Sequence, residues 1–197
     1  ACGCRRVRGR VVAEDALRLV RALGIEGAAR WDAHDEVAPW RARPPLAPAL
    51  ALAHAPSTRE LVRHLEGRAR GRGALVVEAA GGLLAPYTRD GTVLDVAMAL
   101  SLGKLLATSV VLVGASALGT INHTCLSIAA LRAAGLAPAA VMLSRTRAAR
   151  TPDERSNAAA IARIELPAVV PFLDGQARRR RAHRLALAVT RRCGVVR

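Results

Sequence analysis

Two short runs, Ala74–Val77 and Val110–Val113, are apolar at every position. A strand that faces water on one side alternates apolar and polar residues; one without alternation is expected to be covered on both faces, as in parallel sheets. The rest of the chain supports that constraint. Strands are predicted over 74–78, 109–114, 139–143 and a short 168–170 that stops at Pro171, with helical patterns between them. Strand and helix in that rhythm imply a parallel sheet with right-handed crossovers, hence an α/β class.

The helices announce themselves by their ends. Ala16, Leu17, Leu19, Val20 and Leu23 follow helical spacing, and Gly24 is placed to stop that helix. Ser57 and Glu60 form the sequence of a capping box for a helix carrying Leu61, Val62 and Leu65. A further helix opens near Thr92, another spans about Asn122 to Ala134 and closes at Gly135, and Pro152 begins one more at its favoured first position. An Arg-rich helix is expected at the end of the chain. The passage "APWRARPPLAPALALAHAP" is too broken by proline for a regular element and too apolar for a disordered linker, so it is expected to lie over a surface or border a site.

At 197 residues and 52% hydrophobic, the chain has the size of one ordinary domain with its own core. Its apolar runs are too short to span a bilayer, and a soluble, cytoplasmic protein is expected, with no membrane partner. The net charge of +15 raises nucleic acid as a partner. That class is set aside because Lys104 is the only lysine, the arginines are scattered among alanines, and aromatics are 2% of residues. Stacking platforms for bases are therefore missing. The run Arg178–Arg181 reads as a solvated helix face. Cys2, Cys4, Cys125 and Cys193 have neither CxxC nor zinc spacing and are expected as reduced thiols. "WDAHDE", Trp31 to Glu36, reads as a polar loop and not as a metal site.

The most informative carboxylate is Glu78. It closes the first apolar run and is followed by Ala79, Ala80, Gly81 and Gly82. Ligands of open α/β sheets sit outside the carboxyl ends of strands, and a bare backbone lets an anion approach its N–H groups. A turn with a simply solvated glutamate is the other reading. Both stay open on these residues alone.

With "VVEAAGG" and "EDALRL", the segment "VVLVGASALGTINHTCLSIAALRAAGL" resembles the dethiobiotin synthase family, in order from Ala1 to about Leu173. The block Leu118–Thr124, "LGTINHT", carries most of the likeness. The resemblance implies a P-loop NTPase-like parallel sheet with flanking helices, and an ATP-dependent cyclo-ligase of biotin biosynthesis. Its substrates would be 7,8-diaminononanoate, carbon dioxide and ATP, with Mg²⁺ as cofactor, and it would act as a homodimer.

The resemblance also implies site residues. Asp15 and Glu78 match metal- and nucleotide-binding carboxylates, although Asp15 could instead serve only to cap its helix. Ala79, Ala80, Gly81, Ser144, Arg145, Pro171, Phe172 and Leu173 match nucleotide-binding positions. Cys2, just before the matching Gly3, matches a substrate-contacting Ser or Thr, and Gly81, Gly82 and Asn122 match the substrate site, with His123 beside it. Two departures stand out: Ala79 replaces a glycine of the family's EGAGG, and Ser144 replaces an asparagine that contacts adenine.

The family opens with a strand, a GxxxxGK[ST] phosphate loop and a KP motif, whereas these residues start at "ACGC", at the point just past them. The catalytic lysines of those motifs have no counterpart here; Gly103 and Lys104 are followed by Leu105. The expectation is an N-terminally truncated single domain over 1–197 lacking the βαβ start, with exposed strand edges. A catalytically inactive remnant acting as an interaction protein is the alternative function.

Overall fold

The computed structural model describes residues 1–103, 107–144, 152–165 and 169–172. The chain folds as two compact units, one of Ala1–Arg70 with Leu75–Ala99, the other of Gly71–Ala74 with the described residues from Leu100 onward.

The first unit begins with a hairpin that the sequence reading did not contain, β1 (Arg5–Val7) against β2 (Arg10–Val12), antiparallel with Val7 opposite Arg10. Arg8 and Gly9 both take positive φ, 47° and 84°. This is the backbone a two-residue hairpin turn demands. Helices α1 (Glu14–Ala22) and α2 (Ala29–Val37) follow. Gly24 ends α1 as expected, its N–H bonded to the Arg21 carbonyl at 2.9 Å. The core here is small: Cys4, Ala13, Ala16 and Ala38 pack together with Val11. After a single turn, α3 (Pro48–Ala51), the capped helix α4 (Thr58–Ala69) runs as expected. A second hairpin, β3 (Pro86–Thr88) and β4 (Gly91–Thr92), leads into α5 (Val93–Leu102).

Two expectations about this unit are corrected. Trp31–Glu36 is not a loop but the body of α2. Its polar side chains are held by partners distant in sequence: Asp35 pairs with Arg10 and Arg41, Glu36 with Arg68, and His34 is buried. Nor is 74–78 a buried strand. The segment has no regular structure, and Leu75, Val76 and Val77 are 36%, 93% and 47% exposed. An apolar run becomes a strand only when neighbouring strands satisfy its backbone. Among the described residues, none pairs with it.

The second unit carries the parallel sheet, in the order β5 (Val110–Ala115), β6 (Pro138–Ser144), β7 (Val169–Phe172). Helix α6 (Thr120–Ala133) connects the first pair and α7 (Pro152–Glu165) the second. The α/β class and parallel pairing are thereby borne out. Ile128, Val141, Leu143 and Ile161 form the core, with Leu112, Ile121 and Ala158 against them. β6, flanked on both sides, holds the fully buried Ala140 and Val141. β5 is less covered than its all-apolar sequence suggested, with Val113 62% exposed, because it pairs only with β6 among the described residues. β7 runs through Pro171 to Phe172 and does not stop before the proline. An edge position permits that, since proline cannot donate to a ladder on both sides.

Candidate functional site

Cys2 is held by an exchange of backbone hydrogen bonds between the start of the chain and the proline-rich passage. The Ala1 nitrogen donates to the Trp40 carbonyl, Ala42 N–H to the Ala1 carbonyl at 2.9 Å, Gly3 N–H to the Pro44 carbonyl at 3.1 Å and Cys4 N–H to the Ala42 carbonyl at 3.0 Å. The proline-rich passage thus borders the Cys2 position. Partial burial pushes the Cys2 thiol up, and Cys4 adds to the rise.

The glycine loop lies in the same unit. Gly81 has φ +89°, where a side chain is strained, and a Cβ there would also crowd the Ala85 Cβ at 3.3 Å. The loop is secured downstream by Ala85 N–H to the Gly82 carbonyl and Leu94 N–H to the Leu83 carbonyl, each 3.0 Å. Burial, above all, pushes the Tyr87 phenol up; the Ala80 N–H lowers it, and Cys2 and Glu78 raise it.

Asp15 stands in the first turn of α1, where the free N–H groups and the helix dipole favour negative charge, and its Oδ1 lies 3.1 Å from Arg18 Nη1. It is not the cap. The N-cap is Ala13, with no side-chain cap, and the Ala13 N–H is bonded instead to His34 Nε2 at 3.1 Å. Among the described residues, no three His, Cys, Asp or Glu gather as a metal centre. Asp15 and Glu78 carry carboxylates, the hard oxygen donors that Mg²⁺ takes together with phosphate oxygens.

In the second unit, the carboxyl ends of the parallel strands are built as closely. Ala115 and Ser144 are register partners, as are Ser144 and Phe172 and Leu143 and Pro171. This places Ser144, Pro171 and Phe172 together at one end of the sheet, where open α/β sheets bind ligands. Arg145 and Leu173 lie outside the described residues, as do Lys104, Cys193 and the Arg-rich C-terminal segment. A cleft of about 140 Å³ at the end of β5 is lined by Gly114, Ala115, Thr120, His123 and Thr124, among others. A Cβ on Gly114 would lie 3.2 Å from Thr124 Oγ1 and 3.3 Å from both Thr120 Oγ1 and Leu143 Cδ2. The glycine thus lets α6 close onto the strand. Asn122 and His123 occupy the first turn of α6, both exposed.

The model of the AAA domain family matches residues 14–179. The chain is 38% identical over 163 residues to the "ATP-dependent dethiobiotin synthetase BioD" of Anaeromyxobacter dehalogenans strain 2CP-1, covering 80% of this chain and 70% of that protein. This chain belongs to the dethiobiotin synthetase family. Proteins of the same name from Bacillus thuringiensis (strain Al Hakam) and Bacillus cereus (strain AH820) are 33% and 34% identical over 168 residues. The chain spans 65% of the length of each of these Bacillus synthetases. Family membership gives the α/β unit its class, a P-loop NTPase-like domain. Among the described residues, no helix is long and apolar enough to cross a membrane.

Proposed function

We propose that the protein is a cytoplasmic, ATP-dependent dethiobiotin synthetase. It joins 7,8-diaminononanoate and carbon dioxide into a cyclic urea, with ATP converted to ADP and phosphate. One amine of the substrate adds to carbon dioxide to give a carbamate, which takes the γ-phosphoryl group of ATP. The second amine then attacks the activated carbonyl carbon, the C–O bond to phosphate breaks, and the ring closes. Mg²⁺, when bound, neutralises phosphate charge during the transfer.

Asp15 and Glu78 hold the metal in this proposal. Ala79, Ala80 and Gly81 border the nucleotide, and Cys2, Gly81, Gly82 and Asn122 border the diamine. Ser144, Arg145, Pro171, Phe172 and Leu173 accommodate the base. A thiol at Cys2 is a weaker hydrogen-bond partner than a hydroxyl, so its contact with the diamine is modest. We further propose a homodimer with α6 near its interface; a stable monomer in light scattering at micromolar concentration contradicts that part.

The observation that carries the proposal is the 38% identity over 163 residues to an ATP-dependent dethiobiotin synthetase, which covers 80% of this chain. The test is diaminononanoate-dependent ADP release by the full-length protein at varied Mg²⁺, with Asp15→Asn and Glu78→Gln compared. Both variants are expected to lose turnover at least about a hundredfold while melting normally, since each removes charge stabilisation at the transferring group. Near-normal turnover in both overturns the metal assignment.

A further inference from the structure

Helix α1 starts without the usual device. Its N-cap, Ala13, has no side-chain oxygen to bond the free amides of the first turn. The Ala13 N–H is itself held from α2, by His34 Nε2 at 3.1 Å, and that ring is 1% exposed. Asp15 follows two residues later. Its carboxylate pairs with Arg18 of the same helix at 3.1 Å, with the two side chains 77% and 73% exposed. Among the described residues, no contact from outside α1 directs that carboxylate, so its place is set by where α1 begins.

His34 is fixed in turn from its other side. Its Nδ1 lies 3.0 Å from Asp35 Oδ1, and the same carboxylate meets Arg41 Nη1 at 2.9 Å and Arg10 Nη2 at 2.7 Å. Arg10 belongs to β2. Arg41 belongs to the proline-rich passage, and its Nη1 also donates to the Ala38 carbonyl at 2.7 Å. Trp31, three residues earlier on α2, meets the imidazole edge-on with ring centroids 6.0 Å apart. The core beside this network is built of small side chains, Cys4, Ala13, Ala16 and Ala38, with Val11 against them. Side chains so short make few contacts each, and directional bonds then do more of the placing of α1.

We propose that His34 is a positioning residue for Asp15. Oriented by Asp35, its Nε2 holds the Ala13 amide and so fixes the start of α1 and the direction in which the Asp15 carboxylate leaves it. The imidazole acts through the backbone of α1 and not on the reacting groups. This role rests on the function proposed above, in which Asp15 holds the metal. Metal ligands owe their orientation to the hydrogen bonds behind them, and losing such a partner lowers metal affinity about 10- to 100-fold. Because His34 works through a backbone amide, the low end of that range applies.

The test is Mg²⁺ binding by the full-length protein in the presence of ADP, followed by NMR at the Asp15 amide. His34→Leu fills the space but offers no acceptor, and is expected to bind Mg²⁺ about tenfold more weakly. His34→Gln carries an amide oxygen that can take the Ala13 N–H, and is expected to return Mg²⁺ binding to within about threefold of the unaltered protein. In ADP release, His34→Leu should need about tenfold more Mg²⁺ for half-saturation, with kcat at saturating Mg²⁺ changed less than about twofold. A side chain that only stabilises the fold would lower the melts and leave Mg²⁺ binding by the folded protein unaltered. Unchanged Mg²⁺ binding in His34→Leu therefore overturns the proposal, as does His34→Gln binding as weakly as His34→Leu. Should His34→Leu not fold, Asp35→Ala takes its place with the same direction expected, since it keeps the ring and removes the partner that orients it. If Asp15→Asn binds Mg²⁺ as the unaltered protein does, the metal assignment itself fails, and the proposal with it.

Discussion

His34 is 1% exposed, yet both ring nitrogens are engaged. Nε2 accepts the Ala13 N–H at 3.1 Å, and Nδ1 lies 3.0 Å from Asp35 Oδ1. The pattern assigns the proton to Nδ1, which donates to the carboxylate. That hydrogen bond is the main cause holding the Asp35 carboxyl below its usual range; partial burial opposes it, and Arg41 and Arg10 assist. His34 therefore does structural work at the start of α1, two residues before Asp15. Replacing it with Leu keeps the bulk and strands the Ala13 N–H. A loss of about 1–3 kcal/mol in urea unfolding is expected, the cost of a buried donor without a partner. No motif in the sequence revealed this, because residues 13 and 34 meet only through the packing of α1 on α2. Asp15 and Glu78 were expected as metal ligands because carboxylates at the two positions fit a family pattern, and that role belongs to the proposal above.

Helix starts were the most readable elements, since their chemistry is confined to four residues. In α4, Ser57 Oγ accepts the Glu60 N–H at 3.2 Å while Glu60 Oε2 accepts the Ser57 N–H at 2.7 Å. Thr92 and Asp95 repeat the device at α5, with Asp95 Oδ2 accepting the Thr92 N–H at 2.7 Å. Ser57→Ala is expected to cost about 1 kcal/mol in a thermal or urea melt. The backbone and side chain of Ser57 hold the Glu60 carboxyl below its ordinary value. A carboxylate with a lowered folded value stabilises above its unfolded value of about 4.3, and that contribution is lost as pH falls through the folded value. Glu60→Gln should thus flatten the stability profile below about pH 4.3, measured by melts across pH; an unchanged acid limb contradicts the box's role. Strands were less readable, because a strand is defined by its neighbours. Val110–Ala115 and Pro138–Ser144 found each other and formed a ladder. Ala74–Val77 has an equally apolar sequence and, with no paired strand among the described residues, none of the structure.

At the scale of the molecule, that unpaired run has a consequence. Val76 at 93% exposure, with Leu75 and Val77 beside it, offers apolar surface and free backbone groups to any other strand. These 197 residues by themselves are expected to self-associate, and Val76→Glu to reduce that association in light scattering; a monodisperse species with a cooperative melt before substitution contradicts the account. The parallel order of β5, β6 and β7 was recoverable from the rhythm of apolar runs and helices, whereas the two hairpins of the first unit were not, their strands being three residues or fewer. The central claim is that the Glu78 loop serves ATP-dependent ring closure, and it is tested most directly by diaminononanoate-dependent ADP release in the full-length protein, unaltered and as Glu78→Gln. The account expects Mg²⁺-dependent release that falls at least about a hundredfold in the variant while its melt is unchanged. Release that is indifferent to diaminononanoate, or equal in the two proteins, contradicts it.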